Sequence, residues 1–321
     1  MAWVLNLIIF LISCGLLYFA GELIVRGLLR LARYFGVTEF VVAFFIMALA
    51  SSLPNLFVGI SSALRGIPSL SFGDIMGNNM IAMTLAVSLA VLFSPKKEIP
   101  SDGRTVQTTA VFTMAAAVLP LLLVSDNILS RTDGLVLVTF FVFYIFWLFS
   151  KKERFEKVYE KHESEGLEEA AKAFSDIFRI IIGMVLLLIS SQGIIHSATF
   201  MSVELNLSYV LVGTLILGLG SALPEIYFAV SSAKKGETSM ILGNLMGAVI
   251  IPASLVLGIV SIIHPIVIKD LETSAISRIY LILSALFFFF SAKSHSKITI
   301  TEGIFLFILY ILFISTIFLF Y

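Results

Sequence analysis

Charge is scarce in this 321-residue chain: 13% of its residues are Asp, Glu, Lys or Arg, while 59% are hydrophobic. A water-soluble domain carries about a quarter charged residues, so this composition excludes one and implies a polytopic membrane protein. The 21 basic and 21 acidic residues cancel, which removes any electrostatic basis for recognising nucleic acid or an acidic substrate. The lone cysteine, Cys14, excludes an intramolecular disulfide and a thiolate cluster. It reads as a small packing or lipid-facing residue. Histidines number 4 and none lies near the polar clusters discussed below, so a soft-metal site is excluded. The chain shows no nucleophile–base constellation and no glycine-rich nucleotide loop, so neither an enzyme nor a cofactor is expected. The opening Met-Ala-Trp-Val-Leu lacks a basic n-region, and the first apolar run is therefore expected to be a retained helix.

What the chain has instead is apolar runs of about 20 residues, the length a helix needs to cross the hydrocarbon core. They fall near 2–25, 39–64, 70–94, 105–125, 133–150, 177–199, 207–233, 238–263, 273–292 and 301–320. These predict an all-α polytopic membrane protein of about ten transmembrane helices. The runs divide five and five around a charged segment, giving 1–150, a linker at 151–176, and 177–321. With an odd number of spans per half, the second half enters from the opposite side, so the halves are inverted repeats. Lys and Arg concentrate in cytoplasmic loops. Placing 151–176 in the cytoplasm and both termini outside puts roughly 17 basic residues inside and about 4 outside. The linker mixes charge signs at near-helical spacing and reads as a solvated helix joining the halves. Glu22 and Arg26, four apart, read as an ion pair with Arg26 reaching the interface. A secondary ion-acceptor role is the alternative for Glu22.

Two stretches are versions of each other. Ser51-Ser-Leu-Pro-Asn55 leads to Gly73-Asp-Ile-Met-Gly77, and Ser221-Ala-Leu-Pro-Glu225 leads to Gly243-Asn-Leu-Met-Gly247. The offset is 170 throughout, and 11 of the 27 positions from Ser51 to Gly77 are identical between copies. Internal repetition in a membrane protein points to a transporter with its site at the repeat interface. Carboxylates inside a membrane are costly, about 2.5–3.5 kcal/mol on insertion scales. The four helices built on these stretches place only Asp74 and Glu225 well away from their ends, one in each copy. Inverted symmetry predicts that these acids meet near the midplane. Pro54 and Pro224 each remove a backbone donor and are expected to break their helices, freeing carbonyls to line a cavity or coordinate an ion. Ser51, Ser52, Asn55, Ser221 and Glu225 are then oxygen donors on adjacent turns. Asn78 follows Asp74 by four, on the same helix face, and Asn244 matches Asp74 in the other copy. An all-oxygen set of this kind suits hard cations such as Na+ and Ca2+. The G-x-x-x-G pairs allow helix backbones to approach closely.

At these residues the sequence resembles the cation/Ca2+ exchanger superfamily, which includes Na+/Ca2+ exchangers. That family has ten helices in inverted five-helix repeats and paired signatures G-T-S-L-P-E and G-N/D-x-x-G-S-N. The counterparts are Ala50-Ser-Ser-Leu-Pro-Asn55 with Gly73-Asp-Ile-Met-Gly-Asn-Asn79, and Gly220-Ser-Ala-Leu-Pro-Glu225 with Gly243-Asn-Leu-Met-Gly-Ala-Val249. Helix 1 adds Gly21-Glu-Leu-Ile-Val-Arg-Gly27. The departures fall on ion ligands. Asn55 replaces the family's first Glu, Asn78 and Ala248 replace its serines, and Ala82 and Pro252 replace a further Asn or Asp. Asp74 restores one charge from an adjacent position. The resemblance implies a secondary antiporter in the cell membrane in which Na+ entry drives export of Ca2+ or a related cation. Its partners would be inorganic cations and the bilayer, and Glu225 would be the shared ligand. Two other readings stay open: a proton-coupled or monovalent cation exchanger, and a non-transporting sensor or partner protein of the same fold.

Overall fold

The structure is a computed structural model that describes residues 2–34, 47–101, 103–150, 167–236, 238 and 241–320. Its helices are α1 (Ala2–Tyr34), α2 (Met47–Leu64), α3 (Pro68–Phe93), α4 (Arg104–Leu123), α5 (Arg131–Phe149), α6 (Leu167–Glu204), α7 (Tyr209–Lys234), α8 (Ile241–Ile263), α9 (Leu271–Lys293) and α10 (Ile300–Phe320). Among the described residues, 9 helices are long and apolar enough to cross a membrane. The described part of α2 is shorter, Ala48–Leu64, because residues 39–46 of the expected run lie outside the described residues. The protein is thus an all-α membrane protein of inverted five-helix repeats, and each expected run meets its helix.

Two helices overrun their apolar runs. α1 has 33 residues and α6 has 38. The overrun in α1 carries Arg26 and Arg30, and α6 begins Leu167-Glu-Glu-Ala-Ala-Lys-Ala. Arg, Leu, Glu, Ala and Lys are strong helix formers, so each helix continues past its apolar run. Part of the expected linker is therefore helix; its remainder, 151–166, lies outside the described residues.

The inversion is visible in the connections. Strands β1 (Glu98–Pro100), β2 (Ile128–Leu129), β3 (Ile266–Val267) and β4 (Lys297–Thr299) form two short antiparallel ladders, β1 with β4 and β2 with β3. No apolar run or motif in the sequence signals them. The 170-residue offset carries β2 into β4 and β1 to 268–270, directly after β3, so it exchanges the ladders. Successive spans reverse direction, which puts the ladders at opposite ends of the molecule. The α2–α3 and α7–α8 turns also match. Gly66 and Gly236 both take positive φ, 75° and 76°. Each donates its N–H to a carbonyl three residues back, Ala63 and Ala233. A left-handed residue just past a helix end satisfies otherwise orphaned carbonyls, and glycine adopts it without steric penalty.

α3 and α8 are the central helices. In their most apolar stretches 83% and 78% of residues are buried, against 22–50% in the other spans. α3 lies along α7, and α8 along α2. α1 and α6 form an antiparallel pair to one side. A Cβ on Gly27 would stand 2.7 Å from Ile180, and one on Gly183 would stand 2.5 Å from Ile24. At one end the pair is tied by Arg30 Nε donating to Asp176 Oδ1 at 2.8 Å. The expected Glu22–Arg26 ion pair is present and exposed.

Candidate functional site

The polar residues of the repeated stretches converge on α2, α3, α7 and α8. Glycine sets the approach of α3 to α7. A Cβ on Gly73 would stand 2.1 Å from the Val210 carbonyl oxygen, and one on Gly77 would stand 2.1 Å from that of Thr214. Here the two backbones touch with no room for any side chain. Asp74, between these glycines, is 1% exposed. Its Oδ1 accepts a hydrogen bond from Ser221 Oγ of α7 at 2.8 Å. This contact joins the two repeats through side chains. Glu225, one turn beyond Ser221, is 2% exposed. Its Oε2 has no hydrogen-bond partner.

Asn78 is completely buried, and both polar atoms of its amide lack partners. Asn55 Nδ2 on α2 is likewise unpartnered at 2% exposure. A buried polar group without a partner costs about 1–3 kcal/mol, so several on facing helices mark a place where something else supplies the contacts. Asn244 is buried on α8. Ser51 and Ser52 behave differently: both hydroxyls donate to the Ala48 carbonyl of their own helix, at 3.0 and 2.8 Å. Asp74, Ser221 and Glu225 are therefore brought together. The donors of Ser51 and Ser52 are turned away, although their oxygen lone pairs stay available.

The expectation of helix breaks at the prolines is corrected. Pro54 lies inside the continuous helix Met47–Leu64, and Pro224 inside Gly218–Lys234. Each still removes the N–H that would bond the carbonyl four residues back, here Ala50 and Gly220. The irregularity appears elsewhere, as π-helical turns at Ala82–Ala86, Gly213–Leu217 and Pro252–Val256. The first and third are related by the repeat offset and flank the site from α3 and α8. Single π turns inside α-helices concentrate at functional sites. Residues Ala82 and Pro252 lead these turns, so the backbone is widened at the positions where the resemblance implies an Asn or Asp.

Two buried groups lay outside the predicted set. Asn79 Oδ1 is unpartnered at 1% exposure; its signal was its place directly after Asn78. Ser71 Oγ is also unpartnered, beside Gly59 of α2, and nothing in the sequence distinguished it from other helical serines. Cys14 is half-buried against Gly220, 3.6 Å from where a Cβ there would stand, so it packs on α7 next to the site.

The model of the family "Sodium/calcium exchanger protein" matches residues 5–150 and 175–319. The chain belongs to that family. It is therefore a member of a family of membrane cation/Ca2+ antiporters, not of an enzyme family. It is 26% identical over 307 residues to "Uncharacterized membrane protein MJ0091" of Methanocaldococcus jannaschii, covering 96% of each chain. It is 22% identical to "Sodium/calcium exchanger MaX1" of Methanosarcina acetivorans, covering 98% of each. Among solved structures it is similar to the sodium-calcium exchanger NCX_Mj soaked with 2.5 mM Na+ and 10 mM Sr2+. That match has TM-score 0.67 and 24% identity over 98% of this chain and 99% of that one. It is a likeness of fold.

Proposed function

We propose that the protein is a secondary antiporter that exchanges Na+ for Ca2+ or a related divalent cation by alternating access, with its site among α2, α3, α7 and α8. The observation that carries this reading is the buried Asp74–Ser221 contact beside the unpartnered Glu225 and Asn78. Two carboxylates and several neutral oxygens at membrane depth are ligands for a hard cation. Glu225 is the central ligand and Asp74 the second carboxylate, held by Ser221. Asn78, Asn55 and Asn244 offer amide oxygens, and Ser51 and Ser52 offer lone pairs. With few charges to offset dehydration of the ion, binding is weak enough to permit release on the far side. The Lys/Arg distribution supports a cytoplasmic 151–176 segment and external termini. A cysteine introduced there in a Cys14→Ser background should resist an impermeant thiol reagent in intact cells; labelling as fast as a cysteine at Asp126 refutes that orientation.

The test of the exchange reading is radiolabelled Ca2+ uptake into vesicles carrying the protein, against Na+, K+ and proton gradients in turn. Uptake driven by Na+ is expected. Uptake that requires a pH gradient replaces Na+ by protons, the reading favoured by the absent ligands at Ala82, Ala248 and Pro252. No cation flux under any gradient overturns the exchanger reading.

A further inference from the structure

At one end of the α1·α6 pair two cations share one anion. Arg30 Nε of α1 and the Arg179 guanidinium of α6 both donate to Oδ1 of Asp176, at 2.8 and 3.0 Å. The Asp176 side chain is buried, while those of the two arginines are 42% and 47% exposed. One arginine balances the charge of Asp176. The second leaves a positive charge beside another cation, a repulsion that a further anion would offset. A guanidinium has five N–H donors, and each here gives one to the carboxylate. The cluster stands at the ends of the apolar spans, where the phosphate groups of a bilayer lie. Arg30 is two residues past the span Ala2–Leu28, and Asp176 and Arg179 lie in the first two turns of the span Phe174–Glu204. Beyond Arg179 on α6, Ile182, Val185 and Ile189 are all exposed. Their spacing of three and four puts them on one helix face, an apolar track leading from the guanidiniums into the membrane.

We propose that Arg30 and Arg179 hold the phosphate of an anionic phospholipid, with an acyl chain along Ile182, Val185 and Ile189. Planar guanidiniums bind phosphate oxygens through paired N–H donors, and basic pockets between transmembrane helices take anionic headgroups. The lipid's negative charge completes the balance that Asp176 alone leaves unfinished. It also bridges α1 and α6 from the bilayer side, as Asp176 does from within. A zwitterionic lipid brings its own cation to the cluster and gains less. The site is separate from the ions the protein exchanges.

Delipidated full-length protein in detergent, titrated with phosphatidylglycerol or phosphatidylcholine and read by native mass spectrometry, tests this. Wild type should bind phosphatidylglycerol the more tightly. Arg30→Gln with Arg179→Gln should weaken phosphatidylglycerol by about 30-fold. Asp176→Asn releases both guanidiniums and adds one net positive charge, so it should tighten binding by about fivefold. Lys234→Gln with Lys235→Gln removes the same charge from exposed residues at the end of α7 and should change binding by less than about twofold. Equal losses in the arginine and lysine variants would leave only general surface charge. Unchanged or weaker binding by Asp176→Asn would leave the arginines as partners of Asp176 alone. Displacement of the lipid by glycerol 3-phosphate at equal concentration would make a soluble phosphate the occupant. Each of these results overturns the proposal. If the arginine variant does not fold, wild type still decides: phosphatidylglycerol held no more tightly than phosphatidylcholine overturns it.

Discussion

The α3·α7 and α8·α2 pairs occupy equivalent places in the two repeats, yet their chemistry differs. On α3·α7, Asp74, Asn78, Ser221 and Glu225 put two carboxylates and two neutral oxygen groups within one buried region. On α8·α2 the matching positions are Asn244, Ala248, Ser51 and Asn55, with no charge at all. The scaffold kept its symmetry through the paired glycines, prolines and turns. The polar residues between them did not. Packing constrains both copies equally, because each must close helices against the same neighbours. A cation needs only a total charge and enough oxygens, which one side can supply.

The comparison breaks most directly at Glu225. Glu225→Gln keeps the shape and removes the charge from the crowded side. Removing even an outer-shell partner of a metal ligand costs about 10–100-fold. If Glu225 is a direct ligand, as proposed, its loss should therefore lower coupled exchange by more than about 100-fold, with a folded, detergent-stable protein. Asn55→Ala, the equivalent place on the other side, should cost about tenfold or less by the same scale. Flux assays at equal protein per vesicle compare them. Wild-type exchange by the Gln variant would remove Glu225 from the mechanism, and equal losses in both would erase the asymmetry.

Moving the second charge sharpens the comparison. Asp74→Asn gives the first copy the residue of the second and should cost about 10–100-fold in divalent transport. Adding Asn244→Asp then restores the count on the opposite side. Because Ser221 stays on α7 with Glu225, the double variant should remain at least about tenfold below wild type. Recovery to within twofold would mean that charge count alone matters and its location does not.

Sequence and structure part company along the same line. The ten apolar runs, the repeat offset and the G-x-x-x-G approach were readable because hydrophobic length, repetition and small residues map directly onto packing. Asp74 and Glu225 were readable because an acid within an apolar run is costly and therefore rare. The partner Ser221 was readable only through the repeat. Ser51 and Ser52 were not readable as self-satisfied, because a helical serine bonds the carbonyl three or four residues back by default, and sequence does not reveal which serines do so. The prolines misled for a related reason: a transmembrane helix absorbs a lost hydrogen bond without breaking when its neighbours hold it. The strain appeared instead in π turns, which have no residue signature.

The glycines that hold α3 against α7 give a smaller effect, on stability. Gly77→Ala sets a methyl against the Thr214 carbonyl, a backbone atom that cannot turn aside. Overpacking of this kind costs about 1–3 kcal/mol and should lower the unfolding temperature in detergent as well as exchange. Gly15→Ala, with nothing within 4 Å of the added Cβ, should do neither. A tolerated Gly77→Ala would mean that α3 and α7 are not held at this distance.

The smallest effect tests whether the scaffold is as symmetric as the site is not. Gly66 and Gly236 end their helices at nearly the same positive φ, 75° and 76°, and neither has an atom within 4 Å of an added Cβ. Substitution by Ala at either therefore meets only the intrinsic cost of a left-handed L-residue, about 1–2 kcal/mol. Both turns lie outside the charged region, so exchange per folded protein should be unchanged. Gly66→Ala and Gly236→Ala should lower the unfolding temperature by the same amount, and the double variant by the sum, since the sites are far apart. An effect at one turn several times larger than at the other would show that the two copies bear unequal loads in the fold too. The asymmetry of the ligands would then have a structural origin, not one in the choice of ion.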